Sequence, residues 1–153
     1  MINIDVFSDE EAWTKRLKKK KLFFKSICNA FPQKYQFINK KISLTLMLSN
    51  NKKIRKLNKI FRNKDKSTDV LSFPSNNKIK LSKKTYIGDI IISYDFMNKP
   101  KSQQIKIFKE KVIKTFIHGF LHLIGFDHIK NKHYIKMLKE EESIYKSVIS
   151  KLN

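Results

Sequence analysis

A chain of 153 residues with 41% apolar positions can build one hydrophobic core and is too short for two comfortable ones. No stretch approaches the ~18 uncharged apolar residues that read as a membrane span, and Met1–Asp5 lacks the basic-then-apolar order of a secretory signal. The net charge of +21 suits a polyanionic partner such as nucleic acid, yet only Arg16, Arg55 and Arg62 are arginine, and an A+T-rich coding bias would give the same lysine excess.

Ile2, Ile4 and Val6 alternate with polar residues, so Met1–Phe7 reads as a first strand. Ser8-Asp9-Glu10-Glu11 has the form of a capping box, and Trp13, Leu17, Phe24, Ile27, Cys28 and Phe31 follow at helical spacing, which predicts one helix running to Pro32 with Lys18–Lys21 on its wet side. Lys41–Leu48 alternates as a second strand, and Ser49 or Asn50 caps a short helix carrying Ile54, Leu57, Ile60 and Phe61. A polar loop over Asn63–Ser67 leads to a short strand at Asp69–Phe73, stopped by Pro74, and Ser75–Ser82 reads as a flexible lysine-rich connection.

Tyr86–Ser93 is a buried strand, followed by a helical turn to about Met97. From Gln103 to Ile124 the positions Ile107, Val112, Phe116, Ile117, Phe120 and Leu121 mark a long helix. Asn131 to Leu152 is a last helix, with Tyr134, Met137, Leu138, Ile144, Tyr145 and Val148 as its packing stripe. Without repeats or linkers, residues 1–153 read as a single α+β domain: a roughly four-stranded mixed sheet packed with helices, including a zincin-like metal helix. Cys28 is the only cysteine, so neither an intrachain disulfide nor a thiolate cluster can form, and a soluble, reducing, cytoplasmic setting fits.

The chemistry gathers in His118-Gly119-Phe120-Leu121-His122-Leu123-Ile124-Gly125-Phe126-Asp127-His128. Two histidines four apart on a helix stand about 6 Å from one another on one face, close enough to share an ion. Gly125 can adopt the left-handed conformation that ends a helix and brings His128 back toward the pair. Three imidazoles leave one position open on a tetrahedral ion, the arrangement of a catalytic rather than a structural site. The competing explanation is three packed histidines without an ion. His133, the fourth histidine, lies outside the spacing and reads as a surface residue. Asp127 fits three roles: orienting an imidazole, carrying a proton, or capping a helix.

Set against the metzincin order H-E-x-x-H-x-x-G-x-x-H, Gly119 stands where a metallopeptidase keeps its general base. Peptide hydrolysis would need a carboxylate from elsewhere, for example Glu110 or Asp69. A phosphodiester suits the site better, because an alkoxide leaves more readily than an amine and the main task becomes neutralising phosphoryl charge. Arg62 stands out for that task in a chain so biased to lysine, against the alternative of chance among three arginines. Lys59, Lys64 and Lys66 flank it as candidate RNA-binding residues.

The segment His118–His128 resembles the H-G-x-L-H-L-x-G-Y/F-D-H hallmark of the YbeY family of bacterial rRNA maturation factors and single-strand-specific endoribonucleases. Leu57–Pro74 is similar to the family's L-N-x-x-Y/F-R-x-x-D-x-P-T-D-V-L-S-F-P segment, and Gly88-Asp89-Ile90 to its G-D-I strand, in the same order. The resemblance implies one zinc ion, or another divalent transition metal, on His118, His122 and His128, with Arg62 as the functional arginine nearby. It further implies cleavage of single-stranded RNA, maturation of the 3′ end of small-subunit ribosomal RNA, and ribosome quality control. The partners implied are ribosomal RNA and the small ribosomal subunit, with room for a ribosomal-protein or GTPase partner and none for a membrane. Ser67 replaces the usual proline and Phe126 the commoner tyrosine, and neither change touches a proposed ligand. A different class, a ribosome-assembly RNA-binding factor with a structural metal, fits the same basic surface.

Overall fold

The computed structural model describes residues 1–75 and 83–153. Four strands, β1 (Ile2–Ser8), β2 (Lys41–Ser49), β3 (Val70–Pro74) and β4 (Lys84–Ser93), form one sheet in the order β1-β2-β4-β3. The first two pairings are parallel and β3 runs antiparallel to β4, so the sheet is mixed. The helices are α1 (Ala12–Arg16), α2 (Lys20–Asn29), α3 (Asn51–Arg62), α4 (Tyr94–Met97), α5 (Ile105–Leu123) and α6 (Asn131–Leu152). The result is a single α+β domain, as expected. The lysine-rich connection expected at Ser75–Ser82 lies, beyond Ser75, outside the described residues.

Strand alternation sends Ile2 and Ile4 from β1, Ile42, Leu44, Leu46 and Leu48 from β2, and Ile87, Ile90 and Ile92 from β4 into one main core. α2, α5 and α6 contribute much of the rest, together with Trp13 of α1, Met97 of α4 and the segment after α2, and rings meet between elements: Phe24 lies 5.4 Å from Phe116 and Phe31 5.0 Å from Phe120. A smaller cluster of Ile54, Leu71 and Ile91, joined by Met47, Leu57 and Phe73, seats α3 on the sheet. Every residue of that cluster comes from α3, β2, β3 or β4, so apolar packing holds α3 beside β3. Burial pushes the Cys28 thiol up to about 12, leaving it an unreactive core group.

Three expectations need correction. The single helix from Ser8 to Pro32 is two helices, because Leu17 is extended and buried between them. Leu17 leaves helical geometry to reach the core, so its burial outweighs helical continuity without any proline or glycine. The capping box does not form either: Ser8 ends β1, and Glu11 caps α1 without a side-chain hydrogen bond. Finally, Ile60, Phe61, Ile107, Tyr134 and Leu138, all placed on packing stripes, are exposed. Helical spacing marks a face, but only the neighbouring elements decide how wide a face is covered.

Of the two candidate caps for α3, Asn50 is the one used, its side chain accepting from the Lys53 amide at 2.9 Å. Asn50→Ala should destabilise the protein by about 1 kcal/mol in urea unfolding, with the slope unchanged.

Candidate metal centre

α5 carries His118 and His122 on its last turns, and its C-terminal structure then places His128. Gly125, at φ 102°, lets the chain reverse; its amide donates to the His122 carbonyl at 3.2 Å and the Phe126 amide to Leu121 at 3.0 Å. Those two bonds form a Schellman turn, the glycine-dependent helix stop expected from the sequence. The turn also brings the Phe126 carbonyl under the His122 ring, where it takes a hydrogen bond from Nδ1 at 2.9 Å.

The three imidazoles converge. Ring centroids lie 4.6 Å apart for His118 and His122, 5.5 Å for His118 and His128, and 5.0 Å for His122 and His128. One nitrogen from each falls within 4.8 Å of the others, and among the described residues this is the group able to hold a metal ion. His118 Nδ1 lies 2.5 Å from Glu141 Oε1 on α6, and His118 Nε2 faces His122 Nε2 at 3.1 Å. Since a carboxylate and a carbonyl only accept, both Nδ1 atoms carry the hydrogens. In neutral rings the two Nε2 lone pairs therefore point at each other, a repulsive arrangement that a shared cation relieves. Imidazoles around a tetrahedral ion at ~2.0–2.1 Å would stand roughly 3.3 Å apart, close to the 3.1 Å of the His118–His122 pair, so three imidazoles here suit a divalent transition metal. Burial, reinforced by the electrostatic influence of the neighbouring His118, His128 and Arg62, holds the His122 pKa below its ordinary value against the opposing pull of the Phe126 carbonyl. That keeps the ring neutral, the form a ligand needs.

Gly119 faces the sheet. A Cβ there would lie 3.0 Å from Ile90 Cγ2 and 3.2 Å from Ser72 Oγ, and the Ser72 hydroxyl donates to the Gly119 carbonyl at 3.0 Å. The position where a peptidase keeps glutamate is thus the contact between α5 and β3. Glu110 lines a separate cavity with Lys15, Phe23 and Lys109, while Asp69 accepts from the Val70 amide at 2.8 Å. Neither belongs to the histidine cluster.

Arg62 ends α3 and donates from Nη2 to the Ser72 carbonyl at 3.3 Å. Ser72 therefore ties the arginine on one side to the helix carrying the histidines on the other. The remaining arginines have other duties. Arg16 donates to the Gln103 and Lys101 carbonyls and to Asn98 Oδ1, and Arg55 pairs with Asp65 at 2.9 Å. Among the described residues, Arg62 alone of the three makes no contact with a side-chain acceptor.

Lys59, Lys64 and Lys66 are exposed around the end of α3, where buried Asn58 donates to the Lys66 carbonyl at 2.9 Å and holds the loop. Asp127 is exposed beside His128. Its Oδ1 accepts from the Ile129 amide at 3.4 Å and lies 3.3 Å from His133 Nδ1. His133 is exposed on α6, as expected. Ser72 and Glu141 were not singled out from the sequence. Ser72 lies inside the Leu57–Pro74 motif, whereas Glu141 in Glu140-Glu141-Glu142 carries no local signal.

Fold and site together define a small α+β protein with a three-histidine cluster able to hold a metal ion beside Arg62, and with Gly119 packed against the sheet where a peptidase keeps its glutamate. The sequence profile described as "Endoribonuclease YbeY" matches residues 6–149. A relative from Pelagibacter ubique (strain HTCC1062), named Endoribonuclease YbeY, is 60% identical over 152 residues, covering 99% of each chain. One of the same name from Sulfurihydrogenibium sp. (strain YO3AOP1) is 37% identical, covering 87% of this chain and 84% of its own. A solution structure from Thermotoga maritima shares the fold, with a TM-score of 0.59 at 22% identity over 98% of this chain and 91% of that one. The chain belongs to the YbeY family and is a hydrolase. Among the described residues no helix is long and apolar enough to cross a membrane.

Proposed function

We propose that residues 1–153 form one metal-dependent, single-strand-specific endoribonuclease domain that processes ribosomal RNA in the cytoplasm, at the 3′ end of the small-subunit RNA, in ribosome maturation and quality control. The observation that carries this reading is the facing pair of His118 and His122 Nε2 atoms at 3.1 Å, each ring locked through Nδ1, with Arg62 linked to the same helix through Ser72. The relatives' name supports RNA as the substrate.

His118, His122 and His128 would hold one zinc ion. When bound, such an ion supplies Lewis-acid activation of water and of a phosphoryl oxygen. Hydrolysis adds the oxygen of water to phosphorus, breaks one P–O bond, and returns a proton to the departing ribose oxygen. Arg62 neutralises the phosphoryl oxygens, for which its planar fork is suited. Lys59, Lys64 and Lys66 bind neighbouring phosphates of the strand. Asp127, exposed next to His128, is assigned the proton transfer. Glu141 and the Phe126 carbonyl keep His118 and His122 in the tautomer that presents Nε2. The small ribosomal subunit, a ribosomal protein or a GTPase would aim the activity.

In cells whose only copy carries Arg62→Glu, end-mapping should show small-subunit RNA with unprocessed 3′ extensions. Normal ends would overturn the reading. The basic face of α3 would equally serve a ribosome-assembly RNA-binding factor with a structural metal. Histidine variants that fold and bind RNA separate the two, since they lose function in the nuclease and keep it in the binder.

A further inference from the structure

We propose that Phe61, backed by Phe73, is a stacking platform for one unpaired nucleobase of the RNA, and that this platform contributes to the preference for single strands. The inference rests on the reading above and names how that site grips its substrate.

Phe61 is the penultimate residue of α3 and is 65% exposed, although aromatic side chains are among the most favourable to bury. Isolated exposed apolar residues are ordinary. Phe61 differs in what surrounds it. Its ring is 5.3 Å from that of Phe73 at an interplanar angle of 64°, and Phe73 packs against the Ile54–Leu71–Ile91 cluster. The ring is therefore supported from one side and open on the other.

Its position relative to the metal centre is fixed twice. Phe61 precedes Arg62, and Phe73 follows Ser72, whose carbonyl accepts from Arg62 and whose hydroxyl bonds the Gly119 carbonyl next to His118. An aromatic pair is thus built into the same two segments that carry the proposed phosphate contact. The charge matches a polyanion: α3 holds Lys52, Lys53, Arg55, Lys56, Lys59 and Arg62 with no acidic residue, and the nearby Asp65 is paired with Arg55. Cations that follow a backbone, interleaved with an exposed ring, form the general pattern for gripping single strands. In a duplex both faces of each base are covered by stacked neighbours, so only an unpaired base can turn onto the ring.

The test uses the full zinc-loaded chain and a short single-stranded RNA carrying the fluorescent base 2-aminopurine, mixed by stopped flow so that binding is read ahead of cleavage. Phe61→Ala should bind the single strand about 5- to 100-fold more weakly and lose quenching of the probe. Its affinity for a duplex of the same sequence and the salt dependence of binding should stay unchanged, because no charge is removed. Phe61→Trp should retain affinity and quenching, and Phe61→Leu, apolar but not aromatic, should not. An unchanged single-strand affinity in Phe61→Ala, or recovery by Phe61→Leu, would overturn the platform. A parent chain that neither binds nor cuts RNA would instead remove the endoribonuclease reading, and the platform with it.

Discussion

His122→Ala should reduce cleavage of single-stranded RNA by at least ~100-fold and lower zinc content to the level of chelator-treated protein, while circular dichroism remains that of the parent. The loss follows from geometry. His122 is the ring that faces His118 directly, at 3.1 Å, and its orientation is set by the Phe126 carbonyl at 2.9 Å. Removing it leaves two imidazoles, one of them exposed, to hold an ion alone. Removing a partner of a ligand typically weakens metal binding by 10- to 100-fold, so deleting the ligand itself should exceed that range. Glu141→Gln provides the graded comparison: the carboxylate at 2.5 Å from His118 Nδ1 becomes a weaker, neutral acceptor, and affinity for zinc should fall within that range. Chelator competition, read as metal retained per chain, checks both. Full zinc occupancy and activity in His122→Ala would exclude this cluster as the metal centre.

Gly119→Glu restores the peptidase order of residues and should yield no peptidase. Instead it should destabilise the fold by about 3 kcal/mol or more, a fall of roughly 10 °C in Tm for a chain of this length. Replacing glycine inside a helix recovers about 1 kcal/mol of backbone propensity. Against that stand a Cβ 3.0 Å from Ile90 Cγ2 and 3.2 Å from Ser72 Oγ, and a carboxylate pressed into an apolar interface. The clash also strikes the Ser72–Gly119 bond, which links Arg62 to α5, so RNA cleavage should fall with stability. Thermal unfolding followed at a helical wavelength decides the matter. A parental melting temperature together with zinc-dependent peptide hydrolysis would refute the packing argument.

Much of the site was legible because it is local. The His118–His122 spacing, the Gly125 stop and the return of His128 lie within eleven residues, where the regular geometry of a helix and its C-terminal turn leaves few alternatives. Strand alternation over Lys41–Leu48 and a cap at Ser49 or Asn50 were readable for the same reason, and the structure selects Asn50. The helix expected through Lys18–Lys21 was wrong because its periodicity stayed regular across a point where the backbone turns extended to bury Leu17. Stripe residues such as Ile107 and Tyr134 were misassigned because spacing does not report what lies opposite.

What the sequence by itself determined, then, was the identity and spacing of the three histidines, the turn that converges them, and the alternating pattern from which a sheet with one helix-covered core follows. The tertiary structure decided which distant groups act on them. Glu141 reaches His118 from another helix, Ser72 joins Arg62 to Gly119 across a strand, and Phe61 is left uncovered on Phe73. The reason is physical. Backbone geometry propagates over a few residues and imposes its own period, whereas contacts between separate elements depend on how whole faces pack, and no short window of residues contains that information.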